Sequence, residues 1–76
     1  MADLLAWLAK QLVDDPDAVR VEQVDRDDVT VLELHVAPED RGKVIGRQGR
    51  LARALRTIVR ASAGHSRRRV ILDIVE

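Results

Sequence analysis

Cysteine, phenylalanine and tyrosine are absent from this 76-residue chain, and tryptophan and methionine occur once each. Without cysteine there are no disulfides, no thiol nucleophile and no thiolate metal site, a composition that fits a reducing compartment. Long apolar runs are missing as well. A run such as LLAWLA at residues 4–9 is far short of the roughly 20 residues that a membrane-spanning helix needs, and Asp3 stands where a signal peptide would carry positive charge. The expectation is a cytoplasmic protein. The chain also lacks room for a second core, so residues 1–76 read as one domain. At roughly 0.05–0.15 kcal/mol per residue, such a domain holds together by about 4–11 kcal/mol, which leaves little for strained catalytic machinery.

Net charge is absent too, since thirteen bases balance thirteen acids. That balance conceals a segregation. Residues 1–40 carry eleven acids against Lys10, Arg20 and Arg26, whereas residues 41–69 carry ten bases and no acid. Asp73 and Glu76 close the chain. A block of bases without acids suggests a surface for a polyanion, unless the fold pairs the two halves internally.

The hydrophobic pattern predicts the order α-β-β-α-α-β. Leu4, Leu5, Leu8 and Leu12 recur at helical spacing, giving a helix over 2–14 that Asp14-Asp15-Pro16 stops. Valine-rich segments at 18–24 and 29–36 read as the strands of a hairpin, with Asp25-Arg26-Asp27-Asp28 as its turn. Alternation places Thr30, Leu32, Leu34 and Val36 on the core face of the second strand. Pro38, followed by Glu39 and Asp40, opens a short helix over 38–45 that Gly46 ends. A further helix begins near Arg50, with Leu51, Leu55, Ile58, Ser62 and the neighbouring alanines on its apolar side and Gly64 as its terminator. Residues 68–75 close the chain as a strand in which Val70, Leu72 and Ile74 face the core. Two helices between the second and third strands permit a right-handed crossover and parallel pairing. The expected class is α+β, a three-stranded mixed sheet with three helices on one face.

The chemistry concentrates in Lys43-Val44-Ile45-Gly46-Arg47-Gln48-Gly49-Arg50. Alone, Gly-x-x-Gly also describes any helix-turn-helix corner closed by glycine. Here it joins two predicted helices, follows two β-branched apolar residues, and has bases on both sides. Glycine lets a turn approach a ligand backbone, and the helix after it offers free N–H groups at its positive end, where a phosphodiester can sit. A nucleotide-triphosphate loop is excluded, because no Gly-Lys-Ser/Thr follows Gly46 at the needed spacing.

The run VIGRQGR within this element order resembles a type II KH domain, and the whole length resembles the small bacterial single-KH RNA-binding proteins of the KhpA family. The similarity extends to LVDDPD at the end of the first helix, to HVAPEDRGKVIG and to LARALRTIVRA. One departure from the KH pattern is Ala52, three positions after the second glycine, where a large aliphatic residue is common. The resemblance implies a non-enzymatic protein that holds about four unpaired nucleotides in a groove beside the loop, an RNA chaperone or post-transcriptional regulator. Carried over, the contacting set is Lys43, Val44, Ile45, Gly46, Arg47, Gln48, Gly49, Arg50, Leu51 and Arg53. Val44, Ile45 and Leu51 would be the groove's aliphatic walls. The resemblance also implies a homodimer, or a heterodimer with another KH-containing protein of the KhpB kind. RRM, OB-fold and cold-shock modules are disfavoured, since they stack bases on aromatic side chains that this chain lacks.

The remaining candidates are weaker. Arg53, Arg56 and Arg60 form a stripe without acidic partners on its own helix, readable as a solvated face or as an anion-binding one. Arg67 to Arg69 read as loop bases, and His35 and His65 as solvated histidines without companion ligands in sequence. Asp25, Asp27 and Asp28 lack the glycine and distal glutamate of a calcium loop. Trp7 is expected to be partly buried at the edge of the first helix. No catalytic triad, metal site or cofactor site is indicated. The rival function is a protein–protein module that uses this scaffold to dimerise, its basic stripe meeting an acidic surface; apolar residues for pairing lie on the outer sheet face (Val29, Val31, Ile71, Val75) and on the last helix near Ile58 and Val59, and the helix is favoured because its arginines would lie beside acids of residues 1–40.

Overall fold

A computed structural model describes residues 2–64 and 69–75 of the chain. The leucine-rich start forms α1 (Ala2–Leu12), with Asp3 in its first turn and Lys10 in its last, the signs that its dipole favours. Leu5 and Ala9 are its buried residues, and Leu8 and Leu12 pack at the margin of the core. Two expectations fail here. Leu4 is exposed, and Trp7, two residues from both Leu5 and Ala9 and hence on the far side of the helix, is 59% exposed.

Pro16–Ala18 form a single 3-10 turn, closed by the Val19 N–H on the Pro16 carbonyl at 3.1 Å. That turn absorbs Ala18 and moves the first strand two residues later than expected. β1 (Arg20–Arg26) pairs antiparallel with β2 (Val29–His35), and the register Arg26↔Val29 leaves only Asp27 and Asp28 between them. Asp25 and Arg26 therefore lie in the strand and not in the turn. Asp27 takes the tight corner with a left-handed φ of 48°, a conformation that aspartate tolerates better than most residues.

After β2, a 3-10 turn at Pro38–Asp40 leads into α2 (Arg41–Ile45), which Gly46 ends. α3 (Arg50–Ser62) follows, and β3 (Arg69–Ile74) pairs with β2 in parallel. The sheet order is β1-β2-β3. The expected α+β fold and its parallel crossover are therefore present. Arg68, His65 and Arg67 lie outside the described residues. Gly64 does not act as a left-handed terminator; α3 ends at Ser62, and the Gly64 N–H closes onto the Ala61 carbonyl at 3.2 Å.

The core draws on all three helices and one face of the sheet: Leu5 and Ala9, Leu32 and Leu34, Val44, Leu55 and Val59, and Leu72. Each fully buried aliphatic side chain among them stabilises the fold by about 1.5–3 kcal/mol. The alternation in β2 is as expected, with Thr30, Leu32 and Leu34 buried. In α3 the expected apolar side holds at Leu55 and the neighbouring Ala52 and fails at Leu51, Ile58 and Ser62. Ala52, Leu55 and Val59 form the buried arc, whereas Leu51 and Ile58 are 36% and 39% exposed and Ser62 is exposed.

Candidate nucleic-acid interface

The link between α2 and α3 is a four-residue corner. Gly46 has φ 76° and ψ 173°, a combination accessible in practice only to glycine. A Cβ placed there would also lie 2.9 Å from the Leu51 Cβ and backbone nitrogen. The missing side chain at Gly46 is thus what allows Leu51 to fold back over the corner. Gln48 and Gly49 both adopt left-handed backbones, φ 58° and 74°. Two consecutive left-handed residues reverse the chain and aim Arg47 and Gln48 outward, where both are exposed. Gly49 caps α3, whose first N–H groups carry the positive end of the helix dipole.

An ion-pair cluster fixes α2, and with it the corner. Asp40 is 2% exposed; its Oδ2 accepts the Asp15 N–H at 3.0 Å, and its Oδ1 lies 3.4 Å from Lys43 Nζ. The same ammonium is 3.1 Å from Asp14 Oδ2. Burial pushes the Asp40 carboxyl up, but the N–H groups of Asp15 and Asp14 and the Lys43 charge outweigh it and hold the group below its ordinary range. Lys43 is held above its ordinary value, first by Asp14 and then by Asp40. Beyond its place as an acid at a helix start, Asp40 ties the α1–β1 connection to α2, 25 residues away. Only the burial of a carboxylate reveals that role, and one sequence carries no signal for it.

These placements divide the sequence-derived set. Gly46, Arg47, Gln48, Gly49 and Arg50 come together at the corner, with Ile45 and Leu51 partly exposed beside it. Val44 is a correction: at 0% exposure it belongs to the core and cannot be a groove wall. Lys43 has its charge committed to Asp14 and Asp40. Arg53 is exposed on α3.

Arg56, Arg60 and Arg69 are exposed as well. With Arg53 they recur along one flank of α3 and the start of β3, and Arg56, Arg60 and Arg69 line a cleft of about 520 Å³ together with Val70, Ile71 and Leu72. This cleft lies toward the far end of α3 from the glycine corner; Arg50 to Arg60 spans about 15 Å of helix. β3 is an edge strand. The N–H groups of Arg69 and Val75 bond to the carbonyls of Asp28 and Leu34, at 3.1 and 3.0 Å. By alternation, Val70 and Leu72 turn their backbone N–H and C=O groups outward from the sheet, along the cleft. No ion pair joins the α3 arginines to an acid among the described residues; the pairs present are Arg20–Glu22, His35–Glu22 and those of Lys43. Among the described residues, the ion pairs that join the two halves are those of Lys43.

His35 is less isolated than its sequence context suggests. Glu22, Glu33 and His35 bring ligand atoms within 4.8 Å of one another on the outer face of the sheet. Arg20 Nε already sits 3.2 Å from Glu22 Oε1, so a cation there would compete with a guanidinium. Among the described residues, no helix is long and apolar enough to cross a membrane.

Comparison with known proteins adds an independent finding. The family description KhpA/KhpB, KH domain, matches residues 2–74. A protein of Caldanaerobacter subterraneus named RNA-binding protein KhpA is 51% identical over 99% of this chain and all of its own length. Proteins of the same name from Clostridium acetobutylicum and Halalkalibacterium halodurans are 51% and 50% identical, covering 99% and 100% of this chain and the whole of each relative. No solved structure matches the chain.

Proposed function

The chain belongs to the KhpA/KhpB KH-domain family, and from that premise we propose that it is a non-enzymatic, cytoplasmic binder of short single-stranded RNA. One observation carries the reading: a glycine corner with a basic tip opens onto a flank of arginines that have no acidic partners among the described residues. The RNA backbone would pass the corner, where Arg47, Arg50 and the first N–H groups of α3 meet phosphate. Bases would then lie toward Ile45, Leu51 and the cleft, and the outward N–H and C=O groups of Val70 and Leu72 offer hydrogen bonds to base edges. Aliphatic walls and few polar groups favour modest sequence selectivity, consistent with a chaperone or broad regulator of RNA. The relatives' name, RNA-binding protein, favours this over a role in dimerisation alone.

A site for about four nucleotides offers limited affinity, so we propose also that the protein acts in pairs, with itself or another KH-containing chain. Two linked grooves raise the effective concentration of the second contact.

The test of RNA binding is fluorescence anisotropy on single-stranded RNA with Arg47→Asp combined with Gln48→Asp. Both positions are exposed, and aspartate tolerates the left-handed backbone at Gln48. Circular dichroism should be unchanged while binding is lost. Unchanged affinity in the folded variant refutes the assignment.

A further inference from the structure

Three ligand-bearing side chains converge on the face of the sheet that the helices leave open. In the antiparallel register Glu22 of β1 stands opposite Glu33 of β2, and Arg20 stands opposite His35. Alternation turns all four away from the core, into which Leu32 and Leu34 point. On its other side Glu33 is paired with Asp73 of β3, so three carboxylates run in one row across the sheet. Like charges directly opposite one another are unfavourable. Among the described residues, neither Glu33 nor Asp73 has an ion pair to offset that repulsion.

His35 adds an unsatisfied nitrogen at the same place. Its Nε2 is shut off from solvent yet has no hydrogen-bond partner among the described residues, and a buried polar atom left unpaired carries a desolvation cost. Glu22 Oε2 lies 3.9 Å from it, too far for a hydrogen bond. Ligand atoms of Glu22, Glu33 and His35 all lie within 4.8 Å of one another. Arg20 Nε holds the other oxygen of Glu22, Oε1, at 3.2 Å, which leaves Oε2 on the side of His35. The hairpin register, and no local spacing, assembles this set.

We propose that Glu22, Glu33 and His35 form a binding site for a divalent transition-metal ion of the zinc type. One imidazole and two carboxylates are donors that such an ion takes at about 2.0–2.2 Å, which sets neighbouring donors about 3–3.5 Å apart around it. Side-chain shifts of about 1 Å reach that spacing, and Glu22 is exposed on an edge strand, where its side chain can adjust. The nitrogen donor and the small number of ligands favour zinc over magnesium and calcium, which take six or more oxygens. Bound there, the ion offsets the repulsion between Glu22 and Glu33, gives Nε2 of His35 a partner, and clamps β1 to β2. That clamp acts where the sheet is weakest, because β1 contributes no fully buried residue to the core and half-buries only Val21 and Val24. The Arg20 guanidinium opposes the ion, so its charge sets an upper limit on the affinity.

The test is isothermal titration of the full chain with zinc chloride and, separately, with magnesium chloride, alongside thermal melts followed by circular dichroism. Zinc should bind saturably at one ion per chain, and at about a hundredfold excess over its Kd it should raise Tm by about 10 °C or more. Magnesium at the same concentrations should do neither. His35→Gln and Glu33→Gln should each weaken zinc binding about tenfold or more, since even the groups that orient metal ligands are worth about 10–100-fold. Arg20→Gln, which removes the opposing guanidinium, should strengthen it severalfold, a gain that misfolding cannot imitate. His65→Gln, at the chain's other imidazole, should leave it unchanged. The site is overturned if zinc does not bind saturably, if either His35→Gln or Glu33→Gln binds as tightly as wild type, or if His65→Gln removes the binding. Equal affinity for magnesium also overturns it, by marking a diffuse acidic surface.

Discussion

The two glycines of the corner are not equivalent, and alanine substitutions should separate them. At Gly49 the backbone is left-handed, φ 74° and ψ 16°, and a Cβ would meet nothing within 4 Å. Alanine there incurs about 1–2 kcal/mol of backbone strain, offset by roughly 0.4–1 kcal/mol from a less flexible unfolded chain, for a net loss near 1 kcal/mol. Gly46 carries two penalties. Its backbone, φ 76° and ψ 173°, lies where strain is about 1–3 kcal/mol. Its Cβ would also sit 2.9 Å from the Leu51 nitrogen, a backbone atom at the start of α3 that cannot move without shifting the helix. Overpacking of that kind costs another 1–3 kcal/mol or so. The expected loss is about 3 kcal/mol, a large share of the roughly 4–11 kcal/mol available to a domain of this size. In thermal melts followed by circular dichroism, Gly49→Ala should lower Tm by about 4–8 °C and Gly46→Ala by about three times as much. Equal losses, or a larger loss at Gly49, would show that Leu51 does not occupy the space in front of Gly46.

Three further outcomes are expected. Leu55→Ala should cost about 2–5 kcal/mol as a core truncation, whereas Leu51→Ala, at a site 36% exposed, should cost under about 1 kcal/mol and act mainly on RNA affinity. Because the folded-state pKa of Asp40 is depressed, its contribution is fully present above the ordinary carboxylate pKa of about 4 and is lost as pH falls below it; Tm measured against pH should fall more steeply in wild type than in Asp40→Asn over that window. With two to four phosphates neutralised, the slope of log K for single-stranded RNA against log salt should lie near about −1.4 to −2.8, and a flat response would assign the arginines to protein contacts.

How far the sequence disclosed this molecule depended on which physical signal each part used. Period-2 alternation named the buried residues of β2 correctly, because a strand residue faces the core or its opposite. The helices were less legible. In α3 the pattern puts Leu51 and Ile58 on the core side with Leu55 and the alanines, but the arc is set by where Leu55 and Val59 meet the sheet, and a 100° step moves a large residue to the margin. Ala52, the departure from the KH pattern, is buried for the same reason. The glycine corner was visible as a motif, since positive φ leaves a trace in residue choice. The cleft was not, because it joins Arg56 and Arg60 on α3 to Arg69 and the β3 edge, and no local spacing encodes how that helix meets that strand.

The arginine flank supplies a test in which stability and binding should move in opposite directions. Arg53, Arg56 and Arg60 stand three to four residues apart on α3 without an acidic partner among the described residues. Each like-charged pair at that spacing costs a few tenths of a kcal/mol, and Arg56 participates in two of them. A bound phosphodiester removes that repulsion, so strain present in the free protein adds to the preference for the complex. Arg56→Ala relieves both pairs and leaves a strong helix former on an exposed position, which should stabilise the free protein by about 0.5 kcal/mol and raise Tm by about 2–4 °C. It should also weaken RNA binding; with RNA at about 100 times the wild-type Kd the wild type gains about 2.7 kcal/mol and a tenfold weaker variant about 1.4 kcal/mol, so the order of the two melting temperatures reverses. Paired melts of wild type and Arg56→Ala, with and without single-stranded RNA, measure both effects in one experiment. A free variant that melts below wild type would mean that Arg56 supports the fold, and the flank would lose its claim to be a surface kept charged for an external anion.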